Sequence, residues 1–496
     1  MFGRPFENLE KDWVIIPSDF SSLKGSEVDQ AKGFQTLFNE HRHSLEDELG
    51  CKMEFTTDSN VAGPRWLIGP TKCNTAIQML DHPMPSGSEI FLDRKSKILI
   101  SNGSNPEEVT ESFSYLRSLG KFEGGLWKIG SCKNLDDAIS LIYNEVKITY
   151  PSFVNKKLNW ENISQHHMPL VKTAKDPIAA MQRWISELND AHTWVRPFPP
   201  LGTFPYDLKI ENEKAYFYRI SQNSLAWAQG VRPGFEFISD DIKDWSERTS
   251  ASPHAKAFVI GARLLATPMT TTRYFEAKSP EGKIITWNEN PILDRWSPVV
   301  TWKKLSSGNG YLRIESWRLG KGLEEKIDEA FQEFKDSSRL IVDLRANPGG
   351  NFLMAHRFRN RFLKNEGTIG WLQSTNHDGK LGGKEAIVGI PAPENQRCNK
   401  EVIFLTDPLT YSASEDALLG LQDQPQVKVI GQPSGGGSGR PRVLKLLDGY
   451  RLTVSTSLTF DLNENCIEGN GIPVDQVFPI SYDPEELIQA ADNFRF

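Results

Sequence analysis

The stretch YSASED (411–416) places two serines, Ser412 and Ser414, between an apolar run (402–405) and a segment with helical spacing. A serine hydroxyl becomes a nucleophile only when a base takes its proton and nearby donors hold the oxyanion. A serine at a strand-to-helix junction meets part of that need. The first amides of a helix lack helical acceptors, so the N–H of Ala413 is free to donate. A second donor is available in LRANPGG (344–350), where Gly349 and Gly350 let backbone approach a substrate closely. Taken singly, these features also describe a helix N-cap at Ser412 or Ser414 and a tight turn at NPGG.

The elements that must position these groups follow a strand–helix–strand rhythm. GYLRIES reads as a strand, 323–334 as an amphipathic helix and RLIVDLR as a buried strand. EVIFLT reads as a strand, 413–421 as a helix and VKVIG as a strand. That alternation predicts a largely parallel sheet with right-handed crossovers. Both candidate loops then lie at carboxyl ends of strands, where open α/β sheets place their sites. Upstream, 206–297 reads as short alternating strands after a proline-rich break, RPFPPLGTFP (196–205). Residues 1–125 read as a small α/β unit, with strands at 13–17, 66–68 and 97–101 and helical stretches at 31–37 and 105–116. Helices are predicted at 135–146, capped by Asn134, and at 179–188.

At 496 residues the chain is too long for one core. A net charge of −7 argues against nucleic acid or an anionic membrane as the main partner. No apolar run approaches the ~20 residues of a membrane span, and the N-terminal residues lack a signal-peptide pattern. Five widely spaced cysteines fit neither a disulfide framework nor a zinc motif, so reduced thiols and a cytoplasmic location are expected. The histidine pairs His41/His43 and His166/His167 lack a third ligand at metal spacing.

Four motifs, in order, resemble the superfamily of C-terminal processing (tail-specific) proteases, the tricorn core protease and interphotoreceptor retinoid-binding protein. They are GYLRIESW (310–317), LIVDLRANPGG (340–350), YSASEDALLGLQD (411–423) with VIGQPSGGG (429–437), and EGNGIPVD (468–475), in which Val474 replaces the usual proline. QNSLAWAQGVRPGFEF (222–237) resembles the helix–turn of a PDZ domain, with Phe235 in place of an acid. The resemblance, which covers about residues 126–485, implies a crotonase-like ββα catalytic core with a PDZ-like domain; with the small N-terminal α/β domain that the sequence pattern predicts, the expected fold is α/β (α+β multidomain). The corresponding division is 1–125, 126–200 for a helical core segment carrying a histidine motif, 201–297 for the PDZ-like domain, and 298–496 for the core with the nucleophile.

By that resemblance Ser412 is the nucleophile, Ser414 a supporting residue, and the oxyanion donors are Ala413 with Gly349 or Gly350. The tail-specific branch takes its base from a lysine where this sequence has Gly437; the nearest downstream lysine is Lys445. The tricorn branch uses a histidine before the PDZ domain, and LNDAHTWV (188–195) resembles its motif, which makes His192 the base. Glu468 matches the acid that orients this histidine. Ala191 stands where the tricorn core has a linking serine, so Asp190 is the alternative orienting group or a cap of the local turn. Asp343, Arg345 and Asp423 are assigned to shaping the oxyanion turn. The implied activity is a serine endopeptidase acting on peptides or unfolded protein tails, with no metal or cofactor and with homo-oligomerisation left open. A dedicated peptide-maturation acyl-transfer enzyme and an inactive peptide- or ligand-binding relative are the alternatives.

Overall fold

The computed structural model describes residues 12–16, 52–56, 58–61, 65–69, 73–80, 89–93, 98–103, 109, 125–128, 132, 134–197, 201–292, 299–317, 322–375, 380–447 and 449–496. The expected helical stretch at 31–37, most of that at 105–116, and His41 and His43 lie outside them. The chain packs as two compact units. The first comprises 1–151, 375–382 and 441–456; the second comprises 152–374, 383–440 and 457–496.

The first unit holds a six-stranded sheet of β1 (Asp12–Ile16), β2 (Lys52–Phe55), β3 (Arg65–Ile68), β4 (Glu89–Asp93), β5 (Ile98–Asn102) and β6 (Gly125–Lys128). Its order is β2-β1-β3-β5-β4-β6, parallel from β2 to β5 and antiparallel at β4 and β6. Helix α1 (Leu135–Thr149) starts where Asn134 accepts the N–H of Asp137. It buries Ile139, Ile142 and Val146, the apolar stripe of the sequence.

The second unit begins with α2 (Trp160–Thr173) and α3 (Pro177–Ser186), the latter capped by Asp176 on the N–H of Ala179. Five antiparallel strands follow: β7 (Tyr206–Glu211), β8 (Lys214–Ile220), β9 (Glu236–Phe237), β10 (Arg273–Lys278) and β11 (Ile284–Glu289), in the order β11-β10-β9-β8-β7. They enclose an aromatic core of their own, with Phe204, Tyr206, Phe217, Phe275 and Trp287, and Phe235 packs on it. Helix α4 (Lys256–Leu265) lies against β7 at Gly261, where any side chain would overlap the Leu208 backbone.

The sheet that carries the chemistry contains β12 (Val300–Lys304), β13 (Gly310–Ile314), β14 (Arg339–Asp343), β15 (Glu401–Thr406), β16 (Val427–Gly431) and β17 (Gln476–Val477), neighbours in that order. All pairs are parallel except β12 with β13. Alternate residues of the central strands bury on opposite faces. Leu340, Val342, Val402 and Phe404 meet α5 (Leu323–Glu333), α6 (Phe352–Asn360) and α7 (Ala413–Leu418). Ile341, Ile403, Leu405 and Ile430 meet α8 (Pro484–Asp492). Burial on both faces is why these strands read as unbroken apolar runs. Because β14, β15 and β16 are adjacent and parallel, the loops that leave their carboxyl ends are brought side by side.

The first of those loops is anchored by a buried ionic knot. Asp343 is fully buried and contacts Arg313 and Arg345, each at 2.7 Å, and the hydroxyl of Tyr311 at 2.8 Å. Burial alone would raise its pKa, but the two guanidinium groups hold it well below the usual carboxylate range. Asp343→Ala would leave buried Arg345 without its anion and Arg313 with Glu315 alone, a loss of about 3–5 kcal/mol. Chemical denaturation should show that loss as a lower unfolding midpoint; an unchanged midpoint would contradict the role given to the knot.

Candidate active site

Asp407, at the end of β15, accepts the N–H groups of Ala346 and Leu409, both at 2.9 Å, and so ties the two neighbouring loops together. Tyr411 N–H donates to Asn347 O at 2.9 Å, one turn further on. This bracing holds Ser412 at φ +56°, ψ −120°, a conformation that costs a non-glycine residue about 1–3 kcal/mol. Ser412 occupies the N-cap position of α7, but its hydroxyl makes no capping bond. The oxygen instead lies 3.2 Å from His192 Nε2. Ser414 is fully buried, takes a hydrogen bond from Trp317 Nε1 at 2.9 Å and donates to Asn347 O at 3.1 Å, which places it in the packing under the helix.

Gly349 packs directly against the nucleophile loop. A β-carbon there would fall 2.7 Å from Ser412 Cβ and 2.9 Å from the nitrogen of Ala413, and its φ is +95°. Its amide donates to Asn347 Oδ1 at 3.0 Å. The amides of Gly350 and Ala413 have no partner among the described residues. Of the two glycines, Gly349 provides the close approach and Gly350 retains the unused donor. Asp343 and Arg345 brace this turn, and Arg345 N–H also donates to Asp343. Asp423 does not: it is exposed, and the charge that acts on it is that of Asp461.

His192 follows α3 on a sharp turn in which Asn189 has φ +47°. Asp190, fully buried, accepts the N–H of His192 at 2.9 Å and of Thr193 at 3.0 Å. Ser250 clasps the Asp190 backbone, accepting its N–H at 2.8 Å and donating to its carbonyl at 2.6 Å. The imidazole lies 5.0 Å from the Tyr411 ring, centre to centre. Burial lowers the His192 pKa, Arg196 acts in the same direction, and Asp190 opposes them.

The acid expected to orient the imidazole is engaged elsewhere. Glu468 is buried, and its Oε1 accepts from Lys156 Nζ at 3.0 Å. His192 Nδ1 and Glu468 Oε2 are both buried without a hydrogen-bond partner among the described residues. Asp190 bonds the backbone of His192, which matches the turn-capping alternative. Lys156 also donates to Asn189 O at 2.9 Å and Leu188 O at 3.4 Å, and lies 3.9 Å from Asp190 Oδ2. One ammonium therefore holds the histidine turn and serves two buried carboxylates. Burial and Asp190 raise the pKa of Glu468, and Lys156 acts against them. Sequence reading missed Lys156: it lies in FVNKKLNW (153–160), which has no catalytic pattern.

Glu415 closes the third side. Its carboxylate accepts Ser434 Oγ and Gly436 N–H at 2.7 Å, Gly437 N–H at 2.9 Å and Ser412 N–H at 3.0 Å. Burial pushes its pKa up to about 7, against the pull of those donors. Position 437, where the tail-specific pattern has lysine, is filled by another group: a β-carbon on Gly437 would overlap the Tyr411 ring. Ser252 and His254 donate to the carbonyls of Gly436 and Ser434 at 2.9 and 2.6 Å. His166 and His167 pack edge to face on α2, and His167 faces Glu187 at 3.4 Å. No cluster of metal-ligand type occurs among the described residues.

Residues 308–478, which contain the nucleophile, the glycine turn and Glu468, match the family model of peptidase family S41. The matched segment is that of the S41 peptidase superfamily. It is a serine-type peptidase. Among solved structures, mature CPAF complexed with lactacystin is 14% identical, with a TM-score of 0.56 over 73% of this chain and 98% of that one. That likeness shows the shared fold. An assigned peptidase of Parabacteroides merdae is 21% identical, covering 73% of this chain and 95% of that one at a TM-score of 0.46. The photosystem II D1 C-terminal processing protease is 14% identical, covering 73% and 98% at 0.48. No curated protein sequence matches. No helix among the described residues is long and apolar enough to cross a membrane.

In this peptidase, Lys156→Met removes the only cation hydrogen-bonded to Glu468 among the described residues. Glu468 then lies buried near Asp190 without its cation, and its proton affinity rises. The acidic limb of the kcat/KM profile should move to higher pH, and Lys156→Arg should restore it in part. A profile that keeps its wild-type position in Lys156→Met would show that the ammonium has no electrostatic part in the site.

Proposed function

We propose that this peptidase cleaves peptides or unfolded protein tails through an acyl-enzyme on Ser412, with His192 as base and then acid. The observation that carries the reading is the 3.2 Å approach of Ser412 Oγ to His192 Nε2, combined with a serine backbone held at positive φ. Nε2 takes the hydroxyl proton as Oγ bonds to the scissile carbonyl carbon. The amides of Ala413 and Gly350 receive the negative charge that develops on the carbonyl oxygen. The imidazolium returns its proton to the leaving amine, and a water activated by the same nitrogen releases the acyl group. The charge of Asp190 offsets the imidazolium while it exists. Glu468 completes the anionic setting through Lys156 rather than by bonding the imidazole.

The aromatic-cored sheet of 206–289 is the PDZ-like module in this reading, and it guides an extended substrate toward the site. Strand addition to a sheet edge is the way such modules hold peptides. Cys73, Cys132, Cys398 and Cys466 are free thiols, which fits the cytoplasmic setting expected from the sequence.

A fluorophosphonate should label the wild-type protein and leave Ser412→Ala unlabelled. His192→Ala should cut peptide cleavage by roughly 10²–10⁴-fold. Full cleavage by His192→Ala would remove the base assignment, and absence of both labelling and cleavage in the wild type would remove the acyl-transfer reading. The base must be neutral to act, and burial favours the neutral form. The acidic limb of kcat/KM set by His192 should therefore lie below the ordinary histidine value of about 6.5. A limb above that value would contradict the placement of His192.

A further inference from the structure

We propose that Arg263, laid on the indole of Trp194 two residues beyond His192, is a recognition site for a carboxylate of the substrate. The inference rests on the acyl-transfer reading for its setting. Arg263 is in the last turn of α4, and its guanidinium carbon lies 3.5 Å from the centre of the Trp194 ring. Trp194 is two residues beyond His192. Stacking of this kind fixes the plane of the guanidinium and leaves its edge N–H groups to bond in that plane.

Those N–H groups have no hydrogen-bond or ion-pair partner among the described residues. Three other recessed arginines of the same unit are ion-paired. Arg219 meets Asp207 and Glu315, Arg313 meets Glu315 and Asp343, and Arg345 meets Asp343. At Arg263 the charged neighbour is Arg196, of the same sign, and the other titratable group acting on it is Tyr411. Burial and Arg196 lower its pKa to about 10, so it is still a cation at neutral pH. Its side chain is nevertheless partly exposed, so a ligand can reach it. A recessed guanidinium with a like charge nearby and no acid is an unfavourable arrangement that an arriving anion relieves.

The position links this cation to the reaction. Tyr411 immediately precedes the nucleophile, and its ring lies 5.0 Å from that of His192. Arg196 acts on His192 as well as on Arg263. A carboxylate held by Arg263 would sit at the indole two residues beyond His192. Two sources share that chemistry: an Asp or Glu side chain of the substrate, and the α-carboxylate of a chain end.

The test uses full-length Ser412→Ala protein, which binds without cleaving, and decapeptide pools with one fixed Glu or one fixed Gln, each with a free or an amidated C-terminus. Binding is followed by fluorescence anisotropy of the labelled pools. The Glu pools should bind roughly tenfold tighter than the Gln pools if the side chain is read; the free-acid pools should exceed the amides by a similar factor if the chain end is read. Adding Arg263→Gln should bring the favoured ratio close to one, Arg263→Lys should keep part of it, and Arg263→Glu should invert it. Each ratio is taken within one protein, so a partly unfolded variant lowers both pools alike. No charge preference in the Ser412→Ala protein, or a preference that survives Arg263→Gln, would overturn the inference. Fluorophosphonate labelling of the wild type then shows separately whether the acyl-transfer reading stands.

Discussion

The active-site architecture depends on the carboxylate of Glu415. It receives four hydrogen bonds, two on each oxygen, from three backbone amides and one hydroxyl. One of those donors is the N–H of Ser412 itself; the others belong to the glycine-rich loop after β16. A single side chain thus fixes the start of the nucleophile helix and the loop beside it. The strained backbone of Ser412 persists because its surroundings determine it from every side: Glu415 from the helix, Gly349 from the neighbouring turn, and Asp407 from beneath. If any of these relaxed, the hydroxyl would be free to turn toward its own helix as an ordinary cap.

The base is supported by a different principle. His192 has no hydrogen-bonded acid on its ring among the described residues; its position comes from the backbone, through Asp190 and Ser250. Behind it, Asp190 and Glu468 face one ammonium, that of Lys156. Burial and the charge of Asp190 raise the proton affinity of Glu468, and Lys156 opposes them. In the proposed mechanism this arrangement would stabilise a transient imidazolium at some distance instead of through a fixed triad bond.

Parts of this were legible in the sequence for clear physical reasons. Strands buried on both faces produced continuous apolar runs, so β14, β15 and β16 stood out, and their parallel order placed NPGG beside YSASED. The strand-to-helix junction marked Ser412 and the Ala413 amide, and resemblance alone supplied His192 across 220 residues (412 − 192 = 220). Lys156, Ser250, Ser252 and His254 were illegible because each is an ordinary residue in an ordinary segment, and only folding brings them to the site. The pairing of Glu468 with Lys156 in place of His192 had the same cause. Gly437 carried a signal that was read only as the absence of a lysine; its physical reason is the ring of Tyr411, which needs that space. The choice between Gly349 and Gly350 turned on Asn347, whose side chain takes up one amide and leaves the other.

The central claim is that Ser412 reacts within a cradle formed by its own helix amide and the glycine turn. A crystal structure of the protein inhibited by a peptidyl phosphonate tests it most directly. The account predicts a bond from Ser412 Oγ to phosphorus, with a phosphonyl oxygen within hydrogen-bond distance of both Ala413 N and Gly350 N. An adduct on another residue, or an oxygen turned away from both amides, would contradict it.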